Sequence, residues 1–279
     1  MTKPGPRITV CIPHWQVQRF MTVCLRSICR HSSQYNLEVI VVDNGSRDAS
    51  LDYLRSLSWV RLIERPEEVH TNWPNNVFTA WDRGIREATG EFFVTMHSDV
   101  FVKRDDWLDI FLRAFGDDQH VAGVGAWKLN LENPLYVLQK RVIGHMIGCA
   151  KSIARRRNFP VWQQGHYPRD YCAMYRTQAI RQHNLKFWRN IPGSNIGGGF
   201  PIAKQLWDAG YSTRMMPVGE MAKRVVHVAH GTAGVSSEKS LKSRRNQNTV
   251  ERRVEDLFNQ PWVRRLEADN SLDGQARAA

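Results

Sequence analysis

The chain has 279 residues, of which 42% are hydrophobic and 24% charged, and its formal net charge is +12 at pH 7. These proportions are typical of a globular protein and exclude a wholly disordered chain or a fibrous repeat. The amino terminus has no apolar stretch suited to a signal peptide, and no long uncharged apolar run follows, so we expect a cytosolic protein that does not span a membrane. The five scattered cysteines form no closely spaced pair, so we expect them to be buried in a reducing compartment.

The first hundred residues alternate strand-like and helix-like apolar patterns, which predicts an α/β fold with a mostly parallel sheet covered by helices. Strands are expected at 8–12, 37–42, 59–63 and 92–96, with Pro13 ending the first. Helices are expected to follow the first strand, to follow the turn at 43–46, and to end near 89–90. Asp105 is expected to cap the next helix, which Gly116 would end.

Beyond residue 120 the pattern is weaker. It predicts strands at 121–126, 171–175 and 224–228, and a helix at 201–209 with Pro201 in its first turn. From Ser236 the sequence is polar and basic. We expect it to form an appendage with one helix at 249–258.

Polar residues stand where three of the predicted parallel strands end. The first strand leads to Pro13 and His14, the second to Asp43, and the fourth to Asp99. In an open parallel sheet, ligands bind beyond the carboxyl ends of the strands. We therefore expect these residues to share one crevice.

Each of these residues has two interpretations. Asp43 is placed to accept a hydrogen bond from the imide N–H of uracil or thymine, or only to open the Asn-Gly turn that follows it. Asp99 either caps a loop or binds a metal, and His97 beside it would add an imidazole ligand suited to Mn²⁺. His227 and His230 in VVHVAHGT are either structural or further ligands of that metal.

Four blocks, in order, resemble the amino-terminal half of family 2 glycosyltransferases, which have the GT-A fold: ITVCIPHW, a helix, LEVIVVDNGSRDAS and AWDRGIREATGEFFVTMHSDV. The resemblance covers residues 7–115 and later survives around IAKQLWDAGY and VVHVAHGT. It implies sugar transfer from a nucleoside diphosphate sugar, taken here as a UDP-sugar, with Mn²⁺ or Mg²⁺. The implied organisation is a nucleotide-sugar-binding half at 1–120, an acceptor-binding half at 121–235 and a basic extension at 236–279.

The resemblance also implies roles for individual residues. Pro13 and Asp43 would line the base and ribose pocket, and the full set assigned to the nucleotide-sugar is Pro13, His14, Asp43, Asn44, Asp82, Arg83, His97 and Ser98. The metal would be held by Asp99, with His97, His227 and His230 as further ligands. Removing that cation is expected to slow departure of the diphosphate strongly.

Two positions depart from the family pattern. His97 stands where the first carboxylate of Asp-x-Asp is expected, which would weaken the metal site or shift it toward Mn²⁺. The segment SNIGGGFPIAK, with Gly197, Gly198 and Gly199, has no carboxylate where inverting members carry a general base. The base is therefore not identified, and Glu220, Asp170 or a group of the acceptor remain open.

The net charge of +12 keeps other functions open. Basic residues cluster at Arg155, Arg156 and Arg157 and again between Lys239 and Arg265, where anionic lipid, nucleic acid or water alone would satisfy them. The alternatives are a nucleic-acid-binding protein, a glycosyltransferase acting on modified nucleic acid, and a sugar-phosphate nucleotidyltransferase. The last is disfavoured because Pro13-His14-Trp15-Gln16 replaces a Gly-rich phosphate loop. The apolar side of residues 142–154 is compatible with peripheral membrane binding.

Overall fold

The computed structural model describes residues 5–69, 73–129, 142–143, 146, 167–190, 198–235 and 244–274. A seven-stranded sheet of order β3-β2-β1-β4-β7-β6-β8 forms its centre, and only β7 runs antiparallel to the other strands. The strands are β1 (Ile8–His14), β2 (Leu37–Asp43), β3 (Val60–Glu64), β4 (Phe92–Met96), β5 (Val100–Val102), β6 (Val121–Ala126), β7 (Cys172–Arg176), β8 (Ser212–Met216) and β9 (Val225–His227). The chain runs from β1 outward to β3 and then returns to the other side of β1, so β1 and β4 form the switch point where such sheets bind ligands.

Helices cover both faces of this sheet. They are α1 (Gln18–Arg30), α2 (Ser50–Ser56), α3 (Asn75–Glu87), α4 (Asp109–Phe115), α5 (Thr177–Gln182), α6 (Gly199–Asp208), α7 (Val218–Arg224), α8 (Gly231–Val235), α9 (Arg244–Phe258) and α10 (Pro261–Ala268). Val10 of β1 packs in the core that contains α1, whereas Cys11 packs with Trp81 of α3 on the opposite face. Burial on both faces explains why β1 and β2 read as continuous apolar runs.

A small second sheet lies beside the main one. β5 pairs antiparallel with β9, so that Val100 lies opposite His227 and Val102 opposite Val225. The Val228 amide also donates to the Asp99 carbonyl at 3.1 Å. This pairing brings two distant parts of the chain to the carboxyl end of β4.

Several expectations are confirmed and two local ones are wrong. β4 and β6 have the predicted bounds. Pro13 does not end β1, which continues to His14. β4 pairs with β1 only as far as Cys11, so no β4 residue lies opposite Pro13. The proline nitrogen, which cannot donate a hydrogen bond, is therefore tolerated within the strand. Asp105 does not cap a helix by its side chain, because it lies in a 3₁₀ turn and its Oδ1 is 2.6 Å from His31 Nδ1.

The carboxyl-terminal segment is not an appendage over the residues described. Its apolar side chains belong to the main core: Val250, Val254, Leu257, Phe258, Val263, Leu266 and Leu272. The buried Arg26 of α1 pairs with Asp273 at 2.6 Å and also donates to backbone carbonyls of Leu266 and Glu267. Nothing in the local pattern predicts this burial, since an arginine on an amphipathic helix is usually exposed.

Some expectations lie outside the described residues, namely those on Arg155 to Arg157, on Gly197, on 236–243 and on most of 142–154. Among the helices that are described, none combines the length and apolar character needed to cross a bilayer.

Candidate functional site

The turn after β4 is held on both sides at the carboxyl edge of the sheet. The His97 amide donates to the Tyr171 carbonyl at 3.0 Å, and the Asp99 carbonyl accepts from Val228. Ser98 lies between them and is half-buried. The backbone of this turn is therefore anchored to the start of β7 and to the end of β9.

Three side chains converge at this turn. Ligand atoms of His97, Asp99 and His227 all lie within 4.8 Å of one another. Asp99 Oδ1 is 3.4 Å from His227 Nε2 and 3.8 Å from His97 Nδ1. A carboxylate with two imidazoles is a ligand set suited to first-row divalent metals.

The hydrogen bonding of this group fits a cation. His227 Nδ1 lies 3.2 Å from the Leu129 carbonyl, which can only accept, so this bond requires the proton on Nδ1. When the ring is neutral, His227 Nε2 then presents its lone pair toward Asp99. Asp99 Oδ1 and His97 Nε2 are both buried without a hydrogen-bond partner in the described part of the chain. Buried polar atoms are rarely left this way, and a metal beside Asp99 Oδ1 would satisfy that carboxylate oxygen.

Neighbouring groups hold the three side chains in place. The Gly231 amide donates to Asp99 Oδ2 at 3.0 Å. The Tyr171 ring stacks on His227 at 4.7 Å between centroids, and the Trp81 ring stacks on His97 at 5.5 Å. Contacts of this kind fix the ring orientations that metal ligands need.

The electrostatics favour the protonation states that bind metal. Burial tends to raise the pKa of Asp99, but His227, His97 and the Gly231 amide outweigh it and hold that pKa below its usual value. Burial lowers the pKa of His97, although the charges of Asp170 and Asp99 oppose the shift. At neutral pH the carboxylate is ionised and the His97 imidazole neutral, as metal coordination requires.

His230 is placed differently from the other predicted ligands. It is exposed, it has a backbone φ of 65°, and it is not a member of the three-residue group. Although the residue as a whole is exposed, partial burial of its ring lowers its pKa, with Asp99 opposing the shift. Its role as a further metal ligand stays a prediction.

The residues at the ends of β1 and β2 form a buried polar cluster. Asp43 is 1% exposed and accepts hydrogen bonds from the amides of Gly45 and Ser46 and from the Ser46 hydroxyl. Asn44 Oδ1 accepts from Arg65 at 3.0 Å, and His14 Nε2 is 2.8 Å from the Ser50 hydroxyl. These bonds match the interpretation of Asp43 as the opening of a turn, while its contact with a base stays a prediction.

The other two predicted donor contacts, Asp82 and Arg83, lie on α3. Asp82 is buried and accepts from the amides of Phe187 and Trp188 at 2.7 and 3.2 Å. Burial raises its pKa, with those two amides opposing the shift. Arg83 is exposed and pairs with Glu87 at 3.2 Å. Both side chains have structural partners, and their contact with a donor stays a prediction.

Sequence reasoning missed the groups that orient His97, Asp99 and His227. These are the Trp81 and Tyr171 rings, the Leu129 carbonyl and the Gly231 amide. A backbone carbonyl or amide leaves no mark on its own residue type. Tyr171 carried only a weak signal, as the aromatic first residue of the predicted strand at 171–175.

Comparison with known proteins decides the family. The profile described as glycosyl transferase family 2 matches residues 9–183, which is more than half of the chain. The chain belongs to glycosyltransferase family 2. This family match gives no support to the nucleotidyltransferase alternative.

Solved structures place this family 2 chain in the GT-A fold. A mannosyltransferase of Pyrobaculum calidifontis, solved with GDP-Man and Mn²⁺, superposes with a TM-score of 0.55 at 16% identity, covering 96% of this chain and 74% of that chain. A glucosyl-3-phosphoglycerate synthase of Mycobacterium tuberculosis, solved with Mn²⁺, UDP-Glc and phosphoglyceric acid, gives 0.50 at 14% identity, covering 91% and 79%. At these identities the likeness concerns the fold alone, and it confirms the expected architecture.

Curated family relatives match over shorter stretches. The glycosyltransferase EpsH of Bacillus subtilis is 26% identical over 113 residues, which is 40% of this chain and 31% of that protein. A PGL/p-HBAD biosynthesis glycosyltransferase of Mycobacterium bovis is 30% identical over 104 residues, which is 37% of this chain and 40% of that protein. The chain thus matches well under half the length of these relatives.

The buried His14 predicts a pH dependence of stability in this family 2 domain. Burial lowers its pKa from 6.5 to about 4, with Asp43 and Asp48 opposing the shift. Between these values the unfolded chain binds more protons than the folded chain, so the free energy of unfolding falls as pH is lowered. We expect a loss of roughly 2 kcal/mol from this group between pH 7.5 and pH 5, measured by urea unfolding.

The variant His14→Asn should show a smaller loss over the same pH interval, because it removes the titrating ring. The exposed His183 supplies a matched control, since His183→Asn also removes one histidine. Equal pH dependence in the wild type and in His14→Asn would contradict the assignment.

Proposed function

We propose that this protein transfers a sugar from a nucleoside diphosphate sugar to a hydroxyl-bearing acceptor, with a divalent metal held by Asp99, His227 and His97. One observation carries the proposal. In a family 2 fold, the buried Asp99 Oδ1 faces two imidazoles at the sheet's switch point and has no hydrogen-bond partner among the described residues.

The ligand chemistry supports Mn²⁺ over Mg²⁺. Magnesium prefers oxygen ligands and retained water, whereas imidazole nitrogen suits the later divalent metals. Two of the three side chains here are imidazoles. The mannosyltransferase and the synthase compared above were both solved with Mn²⁺, which agrees with this choice.

The residues have distinct tasks in the proposed reaction. When bound, the cation supplies charge that stabilises the departing diphosphate. Asp99 stays ionised to hold it, because His227, His97 and the Gly231 amide lower its pKa against burial. The Leu129 carbonyl keeps the proton of His227 on Nδ1, so that Nε2 is available as a ligand. These groups are arranged before the donor arrives, which limits the reorganisation that the reaction requires.

We favour a donor that carries a uracil base. This base would bind at the ends of β1 and β2, against Pro13, His14, Asp43 and Asn44. A carboxylate offers about four acceptor positions. Bonds from Gly45 and Ser46 use three of those on Asp43. The remaining position on Oδ1 is suited to the imide N–H of uracil.

The Asp99→Asn variant tests the metal site. The amide cannot neutralise a divalent cation, so we expect UDP-sugar hydrolysis to fall by at least about 100-fold and Mn²⁺ with UDP to cease raising the Tm. Asp208→Asn is the matched control, because Asp208 is an exposed residue of α6 paired with Lys204. Full Mn²⁺-dependent hydrolysis by Asp99→Asn would place the metal elsewhere.

Base recognition is tested with two modified nucleotides. N3-methyl-UDP lacks the imide N–H, whereas 5-methyl-UDP keeps it and adds a methyl group of the same size. We expect N3-methyl-UDP to displace a fluorescent nucleotide about 10-fold less well or worse, since a buried acceptor would lose its donor. Equal displacement by both nucleotides would remove Asp43 from base recognition.

An anionic partner is a further proposal, supported by the net charge of +12. The described part of the basic stretch carries exposed acids as well as bases, for example Glu251 beside Arg252. Val142, Ile143 and Met146 are exposed apolar residues, which supports an anionic membrane surface over nucleic acid. We expect flotation with anionic liposomes that weakens with salt, and duplex binding without flotation would reverse this preference. A cytoplasmic, peripheral location is part of this proposal.

A further inference from the structure

Asp170 lies at the same edge of the sheet as the metal ligands. β7 runs antiparallel to β4, so its first residues lie beside the carboxyl end of β4. The bond from the His97 amide to the Tyr171 carbonyl places the residue next to Asp170 directly against the His97 turn. A carboxylate therefore enters this edge from a strand that runs in the opposite direction.

A close contact with Gly198 shows where the Asp170 carboxylate lies. This glycine precedes α6 with a φ of 73°, and a Cβ built on it would overlap Asp170 Oδ2. The carboxylate thus lies against the start of α6. That is the region where the family pattern led us to expect a general base, and where this chain has glycines instead. The absent side chain at Gly198 leaves the space that the Asp170 carboxylate occupies.

The surroundings leave Asp170 able to accept a proton. It is half-buried, and no described residue forms a hydrogen bond or ion pair with it.

The other carboxylates near the site or considered for this role are engaged. Both oxygens of Asp82 accept hydrogen bonds from backbone amides, and Asp99 is one of the three proposed metal ligands. Glu220 pairs with Lys223 at 2.6 Å and with Arg224 at 2.8 Å on α7.

We propose that Asp170 is the proton acceptor for the acceptor nucleophile, an inference that rests on the function proposed above. The hydroxyl oxygen of the acceptor forms a bond to the anomeric carbon of the donor. The bond from that carbon to the diphosphate oxygen breaks, and its electron pair leaves with the nucleoside diphosphate. The hydroxyl proton passes to an Asp170 carboxylate oxygen, which makes the transfer a single displacement with inversion.

The test compares water and azide as nucleophiles toward a UDP-sugar, with UDP release as the readout. Asp170→Asn should lower kcat for hydrolysis by about 100- to 10,000-fold, the usual contribution of a general base. The donor KM should stay within about 2-fold of the wild-type value. The rise in Tm with Mn²⁺ and UDP should equal that of the wild type within experimental error. Azide is already an anion and has no proton to lose, so it should restore UDP release in Asp170→Asn and give the glycosyl azide.

Two further variants complete the experiment. Glu220→Gln is the matched control and should keep wild-type hydrolysis. Asp170→Glu keeps a carboxylate on a longer side chain and should show a smaller loss than Asp170→Asn, which also covers the case in which Asp170→Asn folds poorly.

The outcomes separate the two proposals. Three results for Asp170→Asn would overturn the role of Asp170. They are donor hydrolysis at more than half the wild-type rate, a loss of donor affinity instead of kcat, and a failure of azide to restore UDP release. A larger loss in Glu220→Gln would do the same and point to that residue. A wild-type protein that neither turns over any nucleotide-sugar nor gains Tm from Mn²⁺ with a nucleoside diphosphate would refute the proposed function itself.

Discussion

The constraint on which the site depends is the approach of Asp99 Oδ1 to His227 Nε2 at 3.4 Å, both buried and both lone-pair donors when His227 is neutral with its proton on Nδ1. Two such atoms repel each other unless a positive charge lies between them. The surrounding structure enforces the approach. β5 and β9 pair through Val100 and His227, and Tyr171 stacks on the imidazole. When His227 is neutral, a cation bound between these two atoms removes that repulsion.

The direction of the strands divides the proposed chemistry along the sheet edge. β1 and β2 end at His14 and Asp43, which lie opposite each other in register. β4 lies next to β1 and ends just before His97 and Asp99. β7 begins at this edge and brings Asp170 there from its amino-terminal side. The base, the diphosphate and the nucleophile can therefore be served by successive strands. One reversed strand makes this possible, since a wholly parallel sheet would present only residues that follow its strands.

The parts of the fold that the sequence predicts are those specified by local pattern. β4 and β6 agree to the residue because continuous apolar runs bounded by polar turns define them. Asp99 was located because it follows such a run. β5 was missed because it has three residues and pairs only with the distant β9. The bonds of Asp43 within its own turn, and the carboxylate of Asp170 against Gly198, depend on loop geometry that residue types do not encode locally.

The carboxyl-terminal helices show how far support for the site extends. Phe258 of α9 packs edge-on against Phe101 of β5 at 5.8 Å, and so it braces the strand that pairs with β9. Gln247 of α9 donates to the Gly234 carbonyl of α8 at 2.9 Å. The first residue of α8, Gly231, donates its amide to Asp99. Helix α9 therefore supports two of the proposed metal ligands, His227 through β5 and Asp99 through α8. A segment that the sequence presents as a basic extension is, in its described part, a structural support of the buried carboxylate and its imidazole partner.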